Sequence, residues 1–435
     1  MKSIPVAAFT ALSLALAAPA AAKLAPVETR MLATVKAEET RTVAMLEKWV
    51  NQNSGTLNLA GVEAVGKMVS AELEPLGFTV ERIDLAAAGR AAHLVARHKG
   101  NGRGKKMLLI GHLDTVFEAD SPFQRWTRRG NEGEGPGAGD DKGGMAVIVA
   151  ALRAMKAAGT LKNADMTVFL TGDEEDAGPL EITRKDLIAT GKWADVALDF
   201  EGLVQLDGND MGSTARRSSD EWTLTVTARS GHSSGIFTPG SGSGAIYEAA
   251  RIIDSFRREV REDKLTFNVG LIGGGATAEL DAGKVRINAT GKTNIIAGTA
   301  IARGDLRALS AEQIARAKAK MQAIVAQTLP GGKAEIEFLP DGYPPMAPTP
   351  GNKALLDQLN TINRDMGLAE MGELDPVKRG AGDISFVAAD VDSLAGLGPA
   401  SRGDHAPGET VDIASIARQA QRAAILMSRL AAEKR

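Results

Sequence analysis

The sequence contains no cysteine. No disulfide can therefore form, and any bound metal must be held by nitrogen and oxygen ligands. Aromatic residues make up only 4% of the chain, which argues against a surface that stacks sugars or single-stranded bases. The formal net charge is −3, so there is no electrostatic reason to expect a nucleic acid or an anionic membrane as a partner.

Long apolar runs are also missing after the N-terminus, and none reaches the roughly 20 residues that a membrane-spanning helix needs. Residues 1–22 carry an early Lys2, an apolar run over residues 6–17 and small residues such as Ala20 and Ala22. This layout is typical of a secretory signal with an A-x-A cleavage site, and the apolar run is too short for a membrane anchor. We expect residues 1–22 to be a signal peptide and the mature protein to be periplasmic or secreted.

A chain of 435 residues is too long for one compact core, so two domains are expected. Strand-like and helix-like patterns alternate over residues 79–200, which is typical of an α/β domain whose mainly parallel sheet is flanked by helices. The strict alternation of WTLTVTA in residues 222–228 suits a sheet with one covered face, and mixed strands and helices follow it. We predict a first domain of residues 23–213 and 341–435, interrupted by an α+β insert of residues 214–340.

Helical patterns are predicted at both ends of the first domain. Apolar residues on one face predict a single helix over residues 26–50, which the polar, glycine-containing stretch NQNSGT ends. The last helix is expected over residues 413–430, with Asp412 as its N-cap because an aspartate side chain can accept a hydrogen bond from the first turn.

Imidazole and carboxylate side chains, the ligands that zinc-like ions prefer in a protein without cysteine, occur at the ends of strand-like runs or in glycine-rich loops. They are His112 in MLLIGHLDTV, Asp140 in GPGAGDDKGG, Glu175 in VFLTGDEED, Glu201 in VALDFEGL and His405 in GLGPASRGDHAPGE. If Asp140 bridges two ions, each ion receives three bonds and keeps one place for a shared water. The set predicts a metal-dependent hydrolase, and the first domain would then be its catalytic domain.

Two neighbours of these residues have predicted roles of their own. Residues two apart in a strand point the same way, so Asp114 can orient the imidazole of His112. Glu174 lies beside Glu175 where a buried strand ends, and it can serve as general base.

Each motif also has a simpler reading. An HxD triplet is a weak signal, DEED could be a solvated turn, and His405 could be structural. The glycine-rich loop could bind phosphate, although neither the GxxxxGK[ST] nor the GxGxxG spacing is present.

Together, GHLDTV, GPGAGDDKGG, TGDEED, DFEG and the late histidine resemble the dinuclear zinc family that includes glutamate carboxypeptidase, acetylornithine deacetylase, succinyl-diaminopimelate desuccinylase and aminoacylase. Exported glutamate carboxypeptidases are the members to which the chain is most similar. The resemblance implies two Zn²⁺ per subunit. His112 and Glu201 would hold one ion, Glu175 and His405 would hold the other, and Asp140 would bridge them.

The same resemblance implies that the insert is a ferredoxin-like dimerisation or lid domain of a homodimer. His232 in RSGHSS would stabilise an oxyanion across the dimer, and Asn294 in KTNIIAG would contact the substrate. Arg307 in RGDLR would bind a substrate carboxylate, since a guanidinium group suits a carboxylate. A surface ion pair between Arg307 and Asp305 is the simpler alternative.

The resemblance implies hydrolysis of an amide bond next to a free carboxylate, in a small peptide or an N-acyl amino acid. A carboxypeptidase that releases a C-terminal amino acid such as glutamate is the first expectation. An N-acyl amino acid deacylase or a dipeptidase is the nearer alternative. A non-catalytic periplasmic binding protein for carboxylated ligands is the alternative of another class, although a binding protein needs no general base.

Overall fold

The structure, a computed structural model, describes residues 24–435. The predicted signal peptide of residues 1–22 lies outside the described residues. Within residues 24–435, no helix combines the length and the apolar character that crossing a membrane requires.

The helices and strands of the described chain are numbered in chain order. The helices are α1 Pro26–Ala37, α2 Glu39–Val50, α3 Leu59–Leu73, α4 Lys142–Ala158, α5 Leu180–Thr183, α6 Lys185–Trp193, α7 Ala245–Glu259, α8 Ala311–Val325, α9 Pro350–Asp365 and α10 Ile413–Ala432. The strands before the insert are β1 Thr79–Ile83, β2 His93–His98, β3 Met107–His112, β4 Thr127–Arg129, β5 Glu132–Glu134, β6 Met166–Thr171, β7 Val196–Asp199, β8 Gln205–Leu206 and β9 Asn209–Gly212. Those of the insert are β10 Asp220–Ala228, β11 Gly231–His232, β12 Thr266–Phe267, β13 Leu271–Gly275, β14 Thr277–Leu280, β15 Ile287–Thr290, β16 Ile295–Ile296, β17 Thr299–Arg307 and β18 Gly332–Phe338. After it come β19 Gly372–Glu373, β20 Asp392–Leu394, β21 Ser401–Arg402 and β22 Thr410–Asp412.

The predicted single helix over residues 26–50 is wrong, because the chain forms α1 and α2 with a break at Glu38. Glu38 leaves the helical conformation at φ −96° and ψ 7°. Met31 in α1 and Leu46 in α2 are both buried in the main core, so the break lets each helix turn its own apolar face inward. The predicted cap of the last helix is confirmed, since the Asp412 side chain accepts from the backbone N–H of Ala414.

The central sheet has six strands in the order β1-β2-β6-β3-β7-β20. The pairs β6–β3, β3–β7 and β7–β20 are parallel, whereas β2 is antiparallel to both its neighbours. Successive residues of β3 face opposite cores: Leu109 packs in the cluster that contains α4 and α10, and Leu108 packs in the cluster with Leu187 of α6. Helices therefore cover both faces of a mainly parallel sheet, and the mixed α/β class is confirmed.

The insert forms its own sheet, in the order β12-β17-β10-β18, with β13 also paired to β17. The connectivity is strand–helix–strand–strand–helix–strand, with α7 and α8 packed against the sheet. Its core is a separate cluster that contains Trp222, Phe256 and Met321. The exact domain boundaries stay a prediction.

Two extended segments connect the insert with the rest of the chain, and they pair with each other. Arg216 bridges to Met346 and Ser219 bridges to Tyr343, both in antiparallel fashion. The outgoing and the returning chain thus run side by side next to the central sheet.

Candidate metal centre

The predicted ligands converge at one edge of the central sheet. His112 is the last residue of β3 and lies opposite Thr171, the last residue of β6. Asp199 ends the neighbouring strand β7 and pairs with Ile110 of β3. Because parallel strands end on the same side, the turns that follow β6 and β7 are placed beside His112.

The Asp140 carboxylate lies between two imidazoles. Nε2 of His112 is 2.9 Å from Asp140 Oδ1, and Nε2 of His405 is 3.1 Å from Asp140 Oδ2. The same His405 nitrogen is 3.2 Å from Oε2 of Glu175. Potential ligand atoms of His112, Asp140 and Glu175 all lie within 4.8 Å of one another. Each carboxylate oxygen of Asp140 therefore faces a different imidazole.

The backbone of the two loops explains how this contact is possible. A Cβ on Gly139 would lie 2.2 Å from the Cβ of Ser401, so only glycine allows the Asp140 loop to approach the His405 loop. His405 itself has a φ of 64°. A non-glycine residue in this left-handed region carries strain, which proteins keep mostly at functional sites.

The electrostatics of the cluster favour positive charge. Burial alone would raise the pKa of Asp140, but hydrogen bonds with His112 and His405 bring it well below its usual value. The hydrogen bonds to Asp140 and Glu175 raise the pKa of His405 to about 11. A site that stabilises an extra proton so strongly is suited to a cation, and its imidazole and carboxylate donors fit zinc or a similar divalent ion.

Glu201 faces the same cleft but is held differently. Its Oε2 forms ion pairs with Arg216 Nη1 at 2.7 Å and with Arg379 Nη2 at 3.3 Å. In the structure it is not part of the close group of His112, Asp140 and Glu175. Its role as a ligand stays a prediction.

Asp114 connects His112 to the turn of the two glutamates. Its Oδ1 lies 3.3 Å from Nδ1 of His112. Its two oxygens also accept the backbone N–H groups of Glu174 and Glu175, at 3.0 and 3.1 Å, and the hydroxyl of Thr56 at 2.6 Å. One buried carboxylate therefore contacts a candidate ligand and fixes the backbone of two other candidates.

Glu174 lines a cleft of about 580 Å³ together with Asp140, Glu201 and His405. Burial raises the pKa of the Glu174 carboxyl well above its ordinary value, and nearby carboxylates add to the effect. A glutamate with a raised pKa can hold a proton near neutral pH, as a general base and acid must.

Sequence reasoning missed two buried acids around the Asp140 loop. Glu409 accepts the backbone N–H groups of Gly137, Gly139 and Asp140 at 2.7–3.0 Å, and burial raises its pKa to about 8. Asp141 accepts the backbone N–H of His112 at 3.2 Å. The signals were the glutamate of HAPGE and the second aspartate of GDDK, but each partner lies far away in the sequence.

The candidates in the insert lie outside the cleft lining. His232 on β11 pairs with Ile295 on β16, and the N–H of Ser233 donates to the carbonyl of Asn294 at 3.0 Å. The structure thus brings His232 and Asn294 together, with His232 exposed. Arg307 Nε donates to Asp305 at 2.8 Å. This is the ion pair given above as the simpler alternative for Arg307.

Known proteins resemble this chain along most of its length. Residues 108–429 match the model of peptidase family M20/M25/M40. The chain is 30% identical over 410 residues to carboxypeptidase G2 of Pseudomonas sp. (strain RS-16), which covers 91% of each protein. It is 29% identical over 202 residues to a succinyl-diaminopimelate desuccinylase of Leptothrix cholodnii, which covers 44% of this chain and 51% of the relative.

Solved structures share the fold. A tripeptidase from Staphylococcus aureus superposes with a TM-score of 0.67 at 19% identity, over 91% of this chain and 99% of the other. A dinuclear metal-binding peptidase of the M20 family from Bacillus subtilis gives 0.61 at 16% identity, over 91% and 98%. With the family match and the relative that spans almost the whole chain, these findings show that the chain belongs to the metal-dependent peptidase family M20/M25/M40.

Proposed function

We propose that this enzyme hydrolyses an amide bond next to a free carboxylate, as a carboxypeptidase that releases a C-terminal amino acid such as glutamate. The observation that carries the proposal is the Asp140 carboxylate held between His112 and His405, with Glu174 lining the same cleft. The carboxypeptidase class is supported by the name of the relative that matches 91% of the chain.

The proposed cofactor is two Zn²⁺. His112 and Glu201 would hold one ion, Glu175 and His405 the other, and Asp140 would bridge them. Bound there, the ions would polarise the substrate carbonyl and lower the pKa of a water molecule toward about 7. Asp114 would keep the His112 ring and the Glu174–Glu175 turn in place.

Glu174 is the proposed proton carrier. It accepts a proton from the attacking water as the new C–O bond forms at the carbonyl carbon. It then donates that proton to the amide nitrogen as the C–N bond breaks. The products are a free amine and a carboxylic acid, and the acid loses its remaining proton to solvent at neutral pH. The raised pKa of Glu174 suits a carboxyl that holds a proton between these two steps.

The insert is proposed to complete the site from a partner subunit. His232 would donate a hydrogen bond to the oxyanion, Asn294 would contact the substrate, and Arg307 would bind the substrate carboxylate. Support comes from His232 and Asn294, which lie side by side and do not line the cleft of their own chain.

A homodimer formed through the insert follows from this arrangement. The insert exposes large apolar side chains, which often mark an interface. Their exposed fractions are Phe237 66%, Ile246 48%, Tyr247 56%, Ile272 57% and Val285 76%. Light scattering on the purified protein tests the proposal, and a monomer with full activity would contradict it.

Export by the segment of residues 1–22 is likewise proposed from its sequence pattern alone.

A deacylase is the second candidate, since desuccinylases match about half of the chain. Purified protein, stripped by a chelator and reloaded with Zn²⁺, should be assayed on two matched series. One contains acyl dipeptides that end in glutamate, lysine or leucine, and the other contains N-acetyl and N-succinyl amino acids. Preference for a C-terminal glutamate supports the carboxypeptidase, and preference for one acyl group supports the deacylase. Full activity after complete chelation would overturn both.

A further inference from the structure

Two segments connect the insert with the central sheet, and a side chain from each of them contacts a residue of the candidate metal centre. They are held together by paired backbone hydrogen bonds, since Arg216 and Met346 exchange N–H···O bonds of 2.9 and 3.0 Å. Ser219 and Tyr343 exchange two more of 3.0 Å. The segments therefore form one short antiparallel ribbon.

Arg216, on the outgoing segment, reaches Glu201. Its guanidinium group is almost fully buried and contacts Glu201 at 2.7 Å and Asp199 at 3.0 Å. It also donates to the backbone carbonyls of Gly380, at 2.8 Å, and Ala381. The planar guanidinium uses its donors in several directions, so it fixes the Glu201 carboxylate relative to the loop of Gly380 and Ala381, which also lines the cleft.

Tyr343, on the returning segment, reaches the turn of the two glutamates. Its hydroxyl donates to the carbonyl oxygen of Glu174 at 3.0 Å and accepts from Arg184 Nη2 at 3.1 Å. The ring packs edge-on against Phe386, with 4.8 Å between the centroids. Because the carbonyl of Glu174 belongs to the peptide bond with Glu175, this hydroxyl holds the backbone of both residues.

We propose that Arg216 and Tyr343 are positioning residues, through which the connecting ribbon sets the Glu201 carboxylate and the Glu174–Glu175 turn. The proposal rests on the proposed function, in which Glu201 and Glu175 bind metal. It adds that the ribbon next to the insert is linked through these two side chains to Glu201 and to the Glu174–Glu175 turn. Partners around a ligand typically change metal affinity by about 10–100-fold when they are removed.

Zinc binding by the purified full chain, measured by competition with a chelating indicator, tests the Arg216 half of the proposal. We expect Arg216→Gln to weaken one binding event by about 10–100-fold. Arg217→Gln is the matched control, because this neighbouring arginine bonds to Thr266 and to the carbonyl of Val377 instead. Equal zinc affinities in the two variants would overturn the role of Arg216. If Arg216→Gln fails to fold, Arg216→Lys takes its place and should show a smaller loss, because lysine keeps the charge but cannot reach all the acceptors.

Tyr343→Phe removes only the hydroxyl and keeps the ring against Phe386. We expect weaker zinc binding together with a kcat about 10-fold lower and an unchanged KM on the best substrate, because ground-state binding is not altered. Thr29→Val, which removes a hydroxyl that donates to the backbone carbonyl of Ala25 on the exposed side of α1, is the control and should behave as the wild type. Zinc affinity and kcat that both match the control would overturn the role of Tyr343. The zinc measurements need no substrate, so they decide this proposal even where the substrate series shows no carboxypeptidase.

Discussion

Asp114 at the edge of the central sheet and His232 in the insert are both candidate site residues, but they differ in how many partners the same chain gives their side chains. Asp114 has three hydrogen-bond donors besides His112. The side chain of His232, in contrast, is exposed, and its hydrogen bonds are made with Ser234 in the same turn. The comparison teaches that contacts within the chain hold the candidate ligands at the sheet edge in place, whereas the imidazole of His232 is left accessible to another surface.

Replacing Glu174, the proposed general base, should give the largest effect among the residues at the edge of the central sheet. Glu174→Gln keeps the shape and removes the proton acceptor, so we expect kcat to fall by about 10²–10⁴-fold with zinc content unchanged. Steady-state kinetics and metal analysis on the same sample check this. Asp176→Asn, at an exposed acid two residues further on, is the control. Near-normal turnover in Glu174→Gln would remove this residue from its role.

A substitution at Asp114 tests whether the hydrogen bonds around the candidate ligands contribute to zinc binding. An amide at this position turns one acceptor oxygen into a donor that would face the N–H groups of Glu174 or Glu175. We expect Asp114→Asn to weaken zinc binding by about 10–100-fold, with a parallel loss of activity. The exposed Asp120→Asn serves as control. Zinc affinity equal to that of this control would show that the Asp114 contacts do not support the centre.

Mixing two inactive variants tests whether the insert acts on the partner subunit. In a hybrid dimer of Glu174→Gln and His232→Ala subunits, one site regains both side chains only if His232 acts across the interface. Random exchange makes about half of the dimers hybrid, each with one of two sites intact, so roughly a quarter of wild-type activity should return. Activity that stays at the level of the separate variants, after exchange is confirmed by mass spectrometry, would place His232 in its own chain.

Local pattern was enough to predict the sheet edge. The apolar runs end at His112 and shortly before Glu175, and parallel strands bring such ends together whatever the rest of the fold does. The break at Glu38 could not be predicted, since neither glycine nor proline marks it and packing of the two helices decides it. The bond from the Asp140 N–H to Glu409 spans 269 residues, a separation at which no spacing rule operates.

The same limit applies to Arg216 and Tyr343. Nothing in their neighbourhood in the sequence distinguishes Arg216 from Arg217, yet one contacts Glu201 and the other Thr266. The strand pairing of an extended segment decides which of its side chains face the candidate metal centre. Here the pairing joins residues more than a hundred positions apart. The candidate ligands can therefore be predicted from the sequence, whereas the residues that orient them can be identified only once the fold is known.

A buried histidine in the central sheet allows a test of the stability of the folded protein. His93 on β2 is fully buried, its Nδ1 accepts from the N–H of Gly172 at 3.0 Å, and its Nε2 lies 2.6 Å from the carbonyl of Thr183. The ring must therefore be neutral, with its proton on Nε2. Burial lowers the pKa of His93 below 6.5, despite the opposing effect of Asp173.

As the pH falls below about 6.5, the unfolded chain takes up a proton at His93 before the folded protein does, so the stability that this residue contributes above that pH is lost. The slope is at most about 1.4 kcal/mol per pH unit for one proton. Urea unfolding at several pH values between 7.5 and 5 should show a shallower loss for His93→Gln than for the wild type, because glutamine does not titrate. Val95→Ala, which truncates a buried apolar side chain on the same strand and removes no titrating group, should lower the stability but keep the wild-type slope. Parallel slopes for all three proteins would mean that His93 is not held neutral in the core.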